Sequence, residues 1–168
     1  IIPWELYLRT GDKNILAENY DMMKGLVGYY RLSPEVRLGK LKSFGDWLQP
    51  YSQNKEDSRR ADTPNELIET AYFAHSVQYT LNAAKVLGFD EDFSELQSLR
   101  DSVTIQFVKK FFDESGKLKT PIETQTGYLL ALGLDLVSAE MAQKIMPHLL
   151  NTITKADNHL RTGFLGTP

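Results

Sequence analysis

The sequence contains no cysteine, and this absence excludes disulfide bonds, thiolate metal sites and cysteine nucleophiles. It also lacks an excess of basic residues, because 19 Lys and Arg stand against 22 Asp and Glu, giving a net charge of −3. That balance gives no indication of nucleic acid or an anionic membrane as a partner. No apolar run approaches the roughly 20 residues that a membrane-spanning helix needs. None of these absences identifies the cellular compartment, which stays open.

The composition that is present is typical of a folded domain. Hydrophobic residues make up 42% of the chain and charged residues 24%, which excludes wholesale disorder. The length of 168 residues suits one domain with a sizeable core, so we predict a single domain over residues 1–168. Because the chain begins with Ile1 rather than methionine, we expect it to be a segment of a longer protein.

Apolar residues recur at helical spacing along the chain, whereas alternating strand patterns are short. The glycines at positions 11 and 88 are typical left-handed helix stops, and Pro147 is expected to kink the last helix. The pattern predicts six helices, at about residues 3–10, 13–31, 63–87, 91–112, 120–134 and 139–156.

A Thr-Pro pair opens two of these predicted helices. Thr63-Pro64 and Thr120-Pro121 are each followed by a glutamate at capping-box spacing, Glu66 and Glu123. A third pair, Thr167-Pro168, ends the chain. Such pairs also arise by chance at ordinary helix starts, but their recurrence favours tandem helical hairpins and an all-α fold.

Helices that alternate in direction place every second connection at the same end of the bundle. The short connections near residues 11, 88 and 135–138 are expected at one end, and the longer ones at 32–62, 113–119 and 157–168 at the other. Function collects on long loops that a rigid scaffold carries, so we expect any chemistry at the second end.

The longest of these connections contains the sequence Phe44-Gly45-Asp46-Trp47-Leu48. Its glycine permits a sharp turn, Asp46 offers acceptors for sugar hydroxyls, and Trp47 offers a flat apolar face for a sugar ring. Asp46 and Trp47 are therefore candidate carbohydrate-binding residues. The alternative is that Trp47 is buried and anchors the loop, while Asp46 caps a turn.

No spacing in the sequence declares a catalytic or metal site. Glycosidases need two carboxylates, and the acidic residues expected at the long-loop end, Asp46, Glu123 and Asp157, form no evident pair. The three histidines, His75, His148 and His159, have no second ligand at a metal-binding spacing. We therefore assign no catalytic residue, no metal and no cofactor, and consider only His159 worth testing.

Several motifs occur in an order that resembles the bacterial α-L-rhamnosidases, and the resemblance covers nearly the whole chain. It implies an (α/α)6 barrel, in which six inner and six outer helices surround a funnel. It assigns the third and fifth helices to the inner ring and the second, fourth and sixth to the outer ring. The motifs are Pro3-Trp4-Glu5-Leu6-Tyr7-Leu8, Gly11-Asp12, Ile15-Leu16, Tyr20, Met23-Lys24, Gly45-Asp46-Trp47, Thr124-Gln125-Thr126 and His159-Leu160-Arg161-Thr162-Gly163-Phe164-Leu165-Gly166-Thr167-Pro168.

The resemblance implies hydrolysis of terminal α-L-rhamnose with inversion, by a carboxylic acid and a carboxylate that activates water. In that family the acid lies upstream of the segment matching Ile1, and the base lies downstream of the segment matching Pro168. We therefore expect an incomplete barrel that is inactive alone. Trp47 corresponds to an aromatic wall of the family's sugar pocket, and Asp46 lies beside it.

Two other functions fit the helical pattern: a helical-repeat scaffold that binds a protein, and another (α/α)6 glycosidase or a lyase. An incomplete barrel also leaves apolar edges without neighbours. We expect the apolar sides around Trp4, Tyr7, Leu132 and Leu134 to face solvent, and the isolated chain to self-associate through these open edges.

Overall fold

The computed structural model of the protein describes residues 1–32, 43–53 and 61–167. Within these ranges every regular element is an α-helix, and the only bridge between extended segments joins Phe112 to Leu118. This confirms the predicted all-α fold. No helix in the described ranges has the length and apolarity needed to cross a membrane. The helices are α1 (Ile2–Thr10), α2 (Lys13–Arg31), α3 (Asn65–Leu87), α4 (Asp90–Phe111), α5 (Gln125–Gly133) and α6 (Ala139–Lys155).

The first two helices follow their sequence signals closely. Gly11 ends α1 in the left-handed conformation, with φ 71°. Asp12 then caps α2, because its side chain accepts a 2.9 Å hydrogen bond from the backbone N–H of Asn14. α2 buries one stripe of side chains, Leu16, Tyr20, Met23 and Val27.

Helix α3 lies at the centre of the molecule and packs against α1, α2, α4 and α5. Its first half joins an apolar cluster with α4, α5 and α6, where Leu67, Phe107 and Ile145 are fully buried. Its second half, including Val77, joins another cluster with α1, α2 and α4. Burial around most of the circumference is expected of a helix in an inner ring, whereas α2 buries a single stripe.

The capping box predicted at the start of α3 is wrong. The helix begins at Asn65, after Pro64, and no side chain caps it. The Thr63 hydroxyl instead donates a 2.7 Å hydrogen bond to the hydroxyl oxygen of Thr124. Glu66 does not reach back to the cap, since it pairs with Lys110 of α4. A contact between distant segments has therefore replaced a local cap.

The predicted start of α5 at Thr120 is also wrong. α5 begins at Gln125, and its cap is Thr124, whose hydroxyl oxygen accepts from the backbone N–H of Gly127 at 3.2 Å. The hydroxyl of Thr120 donates to the carbonyl oxygen of Ile122 instead, and this turn precedes the helix. The Thr-Pro pairs thus do not mark equivalent positions. The pair that ends the chain includes Pro168, which lies outside the described residues.

The described parts of the long connections meet at one end of the helices, as predicted, while residues 33–42, 54–60 and 168 of these connections lie outside the described residues. We call this end the loop rim and define it as residues 43–53, 61–64, 112–124 and 156–167. Asn65, the first residue of α3, donates a 3.0 Å hydrogen bond to the carbonyl oxygen of Ser43. Gly88 ends the same 23-residue helix, about 34 Å away at 1.5 Å per residue. Trp47 and Gly88 therefore lie at opposite ends.

The apolar surface differs from the expectation in detail. Trp4, Tyr7, Leu132 and Leu134 are only partly exposed, because they pack against the two apolar clusters. The solvent-facing apolar side chains of α1 are instead Ile2, Leu6 and Leu8, at 71%, 43% and 59% exposure. Helix α6 continues through Pro147 without interruption, and the bend expected there stays a prediction.

Candidate functional site

A buried carboxylate joins three segments of the molecule at the loop rim. Asp46 has no exposed surface. Its Oδ2 accepts from the backbone N–H of Gly163 at 2.7 Å and from the hydroxyl of Thr126. Its Oδ1 accepts from the N–H groups of Leu165 at 2.8 Å and Gly166 at 2.9 Å. We call these five residues the Asp46 junction.

The four donors occupy the acceptor sites of the Asp46 carboxylate. Two carboxylate oxygens offer about four lone-pair directions, and a buried charge is tolerated only when such bonds replace its hydration. Thr126 lies in the first turn of α5, where the helix dipole also favours a negative charge. The carboxylate therefore binds the protein itself, and no acceptor site on it faces solvent.

Gly163 allows the two loops of the junction to approach closely. A Cβ atom at this position would lie 2.5 Å from the carbonyl oxygen of Trp47 and 2.6 Å from the carbonyl carbon of Asp46. Phe164, the next residue, donates a 2.8 Å hydrogen bond to that same Trp47 oxygen. The close approach of Gly163 and the hydrogen bond from Phe164 thus hold the backbone carbonyl group of Trp47 in place.

The Trp47 side chain is not an anchor buried in the core. It is 39% exposed, and its ring lies 5.7 Å from the ring of Phe44, which is itself exposed. Leu48 and Tyr51 adopt positive φ angles of 63° and 56°. Such backbone strain in non-glycine residues persists where surrounding contacts fix it. The loop therefore presents an aromatic surface in a fixed position at the rim.

A second set of hydrogen bonds ties the start of α5 to the last segment of the chain. The Gln125 side-chain amide donates to the carbonyl oxygen of His159 at 3.1 Å, and its oxygen accepts from the N–H of Arg161 at 2.9 Å. The His159 ring lies 3.1 Å from the carbonyl oxygen of Ala156 within the turn after α6. These contacts give the His159 ring a local structural partner, the carbonyl oxygen of Ala156.

Glu123 and Asp157, the other two acidic residues predicted at this end, share no hydrogen-bond partner with Asp46 in the described part of the chain. Glu123 accepts from the hydroxyl of Tyr128 at 2.7 Å and pairs with Lys117 at 3.3 Å, while Asp157 is exposed in a turn with φ 52°. The described ranges contain no group of three His, Asp or Glu residues that is placed to hold a metal ion. We assign no catalytic residue to the chain.

Sequence reasoning found Asp46 but missed its partners. Thr126 and Gly163 lie 80 and 117 residues further along the chain, and neither carries a local signal of this contact. The two closely spaced glycines, Gly163 and Gly166, were the nearest hint, because they suggest a close approach of backbones. A pattern within a few residues cannot identify which segment approaches.

Comparisons with known proteins bear on the fold and on the family. The family model described as the bacterial alpha-L-rhamnosidase 6 hairpin glycosidase domain matches residues 1–168. An alpha-L-rhamnosidase of Formosa agariphila is 48% identical over 168 residues, covering all of this chain and 18% of that protein. This chain therefore spans about a fifth of the length of the relative.

Solved structures show the same arrangement of helices. The alpha-L-rhamnosidase of Dictyoglumus thermophilum superposes with a TM-score of 0.86 at 32% identity, over 99% of this chain and 18% of that one. The Streptomyces avermitilis alpha-L-rhamnosidase complexed with L-rhamnose superposes with a TM-score of 0.83 at 31% identity, over 99% of this chain and 15% of that one. From these matches over its whole length, we conclude that the chain belongs to the bacterial α-L-rhamnosidase family, within the six-hairpin glycosidase domain.

Proposed function

We propose that the full protein carrying this chain hydrolyses terminal α-L-rhamnose with inversion, and that this chain supplies one wall of its sugar pocket. The observation that carries the proposal is the exposed Trp47 ring on a loop fixed by the Asp46 junction. Sugar C–H faces pack on aromatic rings, and a fixed ring binds with little loss of conformational entropy. Membership of a glycosidase family favours this function over that of a helical scaffold for a protein partner.

The two candidate residues receive different roles in this proposal. Trp47 contacts the sugar, since its ring is accessible at the rim. Asp46 is a positioning residue, because its oxygens are already occupied by four donors of the protein. The acid and the base are supplied outside this chain, as the family resemblance implies. The 168-residue chain alone is accordingly expected not to cleave an aryl α-L-rhamnoside.

Replacing Trp47 by alanine in the full protein is expected to lower kcat/KM for an aryl α-L-rhamnoside about tenfold. The lost aromatic contact is worth on the order of 1–1.5 kcal/mol, and each 1.4 kcal/mol is a factor of ten. Trp47→Phe keeps a ring at this position and should retain more of the activity. Steady-state kinetics test this, and an unchanged kcat/KM in Trp47→Ala would contradict the proposed contact.

The isolated chain is proposed to self-associate through the outer face of α1. Ile2 and Leu6 lie one turn apart on that helix, and Leu8 extends the apolar surface. Light scattering of the 168-residue chain across a concentration series should show a rising apparent mass. The double variant Ile2→Glu/Leu6→Glu should stay monomeric over the same range. A wild-type chain that remains monomeric at the highest concentration would refute self-association.

A further inference from the structure

A polar cleft opens at the loop rim beside the C-terminal end of the outer helix α6. Its volume is about 370 Å³, and a smaller recess of about 90 Å³ continues from it toward the loop that carries Trp47. Both spaces share Gln53, Glu123 and Arg161 among their lining residues. The larger space adds Asn151 and Lys155 from α6. This cleft is separate from the exposed face of Trp47, which lines neither space.

Arg161 lines both spaces of this cleft. Its guanidinium carbon lies 4.8 Å from the centre of the Tyr51 ring, a cation–π contact. Its backbone N–H is held by Gln125, as described above. Its Nε atom is buried and has no hydrogen-bond partner within the described ranges. Among the residues that the structure describes, no carboxylate pairs with its guanidinium.

The carboxylate of Asp62, which faces the same space, is already occupied. Its Oδ1 accepts from the Ser52 hydroxyl at 3.0 Å and from the backbone N–H of Gln53 at 2.8 Å. Its Oδ2 accepts from the side-chain amide of Gln49 at 2.8 Å. These bonds hold the loop together, and they leave Asp62 directed at its own neighbours rather than at Arg161.

Glu123 is likewise committed within the protein. Burial alone would raise the pKa of its carboxyl, but hydrogen bonds from Tyr128 and Lys117 outweigh burial and lower the pKa. The carboxylate is thus ionised and paired with Lys117. Within the described part of the chain, neither Arg161 nor Lys155 therefore forms an ion pair with a carboxylate of the cleft.

We propose that this cleft binds the carboxylate of an acidic sugar unit, such as a hexuronic acid, with Arg161 as its principal ligand. A planar guanidinium matches a carboxylate with two parallel hydrogen bonds, and Lys155 adds a second positive charge at the cleft wall. The amide side chains of Gln53 and Asn151 suit the hydroxyl groups of such a sugar. The assumption that the ligand is a sugar rests on the proposed function.

The inference is tested by isothermal titration of the full protein that carries this chain. The two probes are methyl β-D-glucuronide and methyl β-D-glucoside, which differ in the carboxylate. We expect the glucuronide to bind at least about tenfold more tightly, and Arg161→Gln to raise its Kd about tenfold or more. Lys85→Gln removes the same charge from an exposed residue near the opposite end of α3 and should leave Kd unchanged.

Three results would overturn the inference: equal binding of the two probes, equal losses in Arg161→Gln and Lys85→Gln, or displacement of the glucuronide by an equal concentration of sulfate. Arg161→Lys keeps the charge without the planar fork, so its Kd should lie between the wild-type and Arg161→Gln values. The variants at position 161 should stay folded, because these substitutions keep the backbone N–H that donates to the Gln125 side chain. Thermal melting of each variant checks this.

Cleavage of a neutral aryl α-L-rhamnoside is measured in parallel, and it separates this inference from the proposed function. A protein that binds the glucuronide through Arg161 but cleaves no rhamnoside would refute the proposed function and support an acidic-sugar cleft. A protein that cleaves the rhamnoside but does not distinguish the two probes would support the function and refute the cleft.

Discussion

Asp46→Asn is expected to lower the free energy of unfolding of the chain by about 3–5 kcal/mol. The variant replaces a buried carboxylate that accepts four hydrogen bonds. The new amide NH2 group would face backbone N–H donors, either that of Gly163 or those of Leu165 and Gly166. A hydrogen bond to a charged group contributes about 1.5–3 kcal/mol, and an unsatisfied buried donor costs about 1–3 kcal/mol. Urea unfolding of the 168-residue chain measures this difference.

Asp12→Asn is the matched control for this change. Asp12 is exposed, and its side chain accepts one hydrogen bond, at the start of α2. Asparagine and aspartate are nearly equivalent as helix caps, so the control should stay within about 0.5 kcal/mol of wild type. If the free energy of unfolding of Asp46→Asn lies within about 1 kcal/mol of that of Asp12→Asn, the junction contributes little to stability.

Gly163→Ala is expected to disrupt the same junction by steric overlap, lowering the free energy of unfolding by about 3 kcal/mol or more. The added methyl group would meet the carbonyl groups of Asp46 and Trp47, and main-chain atoms cannot move aside as a flexible side chain can. In the full protein the shift of residue 47 should also lower kcat/KM for an aryl α-L-rhamnoside, since the Trp47 ring moves with its backbone.

Gly25→Ala adds the same methyl group where nothing obstructs it. Gly25 lies within α2, and a Cβ atom there meets no atom within 4 Å. Alanine is favoured over glycine inside a helix by about 0.5–1 kcal/mol, so this control should be slightly stabilised. Equal effects of Gly163→Ala and Gly25→Ala on stability would contradict the close approach at residue 163.

The helices could be predicted from the sequence because their causes are local. A stripe such as Leu16, Tyr20, Met23 and Val27 recurs at the helical period within one segment, and glycines such as Gly11 and Gly88 end their helices without outside help. The same regularity predicted which connections share an end. The ring to which each helix belongs came from the family resemblance, and the extensive burial of α3 agrees with it.

The helix starts could not be predicted as well, because distant contacts decided them. Thr63 has the right neighbours for a cap, yet its hydroxyl donates to Thr124, which is 61 residues away. That contact and the turn at Thr120 move the start of α5 to Gln125. A capping box is therefore a weaker signal where two loops meet than on an isolated helix.

The candidate site was predictable in its residue types but not in their roles. Gly45-Asp46-Trp47 indicated an acceptor beside an aromatic face, and the structure places both residues at the rim. Only the three-dimensional contacts show that the carboxylate is enclosed while the ring is accessible. The cleft at Arg161 had no sequence signal, since it depends on Tyr51 and α6 lying against the last segment of the chain.

The central claim is that Trp47 contacts the sugar while Asp46 only positions the loop. A crystal structure of the full protein with bound L-rhamnose tests it most directly. We predict a sugar face packed on the Trp47 ring. The Asp46 oxygens should still be bonded to Gly163, Leu165 and Gly166 and lie beyond hydrogen-bond distance of every sugar oxygen. A sugar hydroxyl bonded to the Asp46 carboxylate, or a sugar that does not touch Trp47, would contradict it.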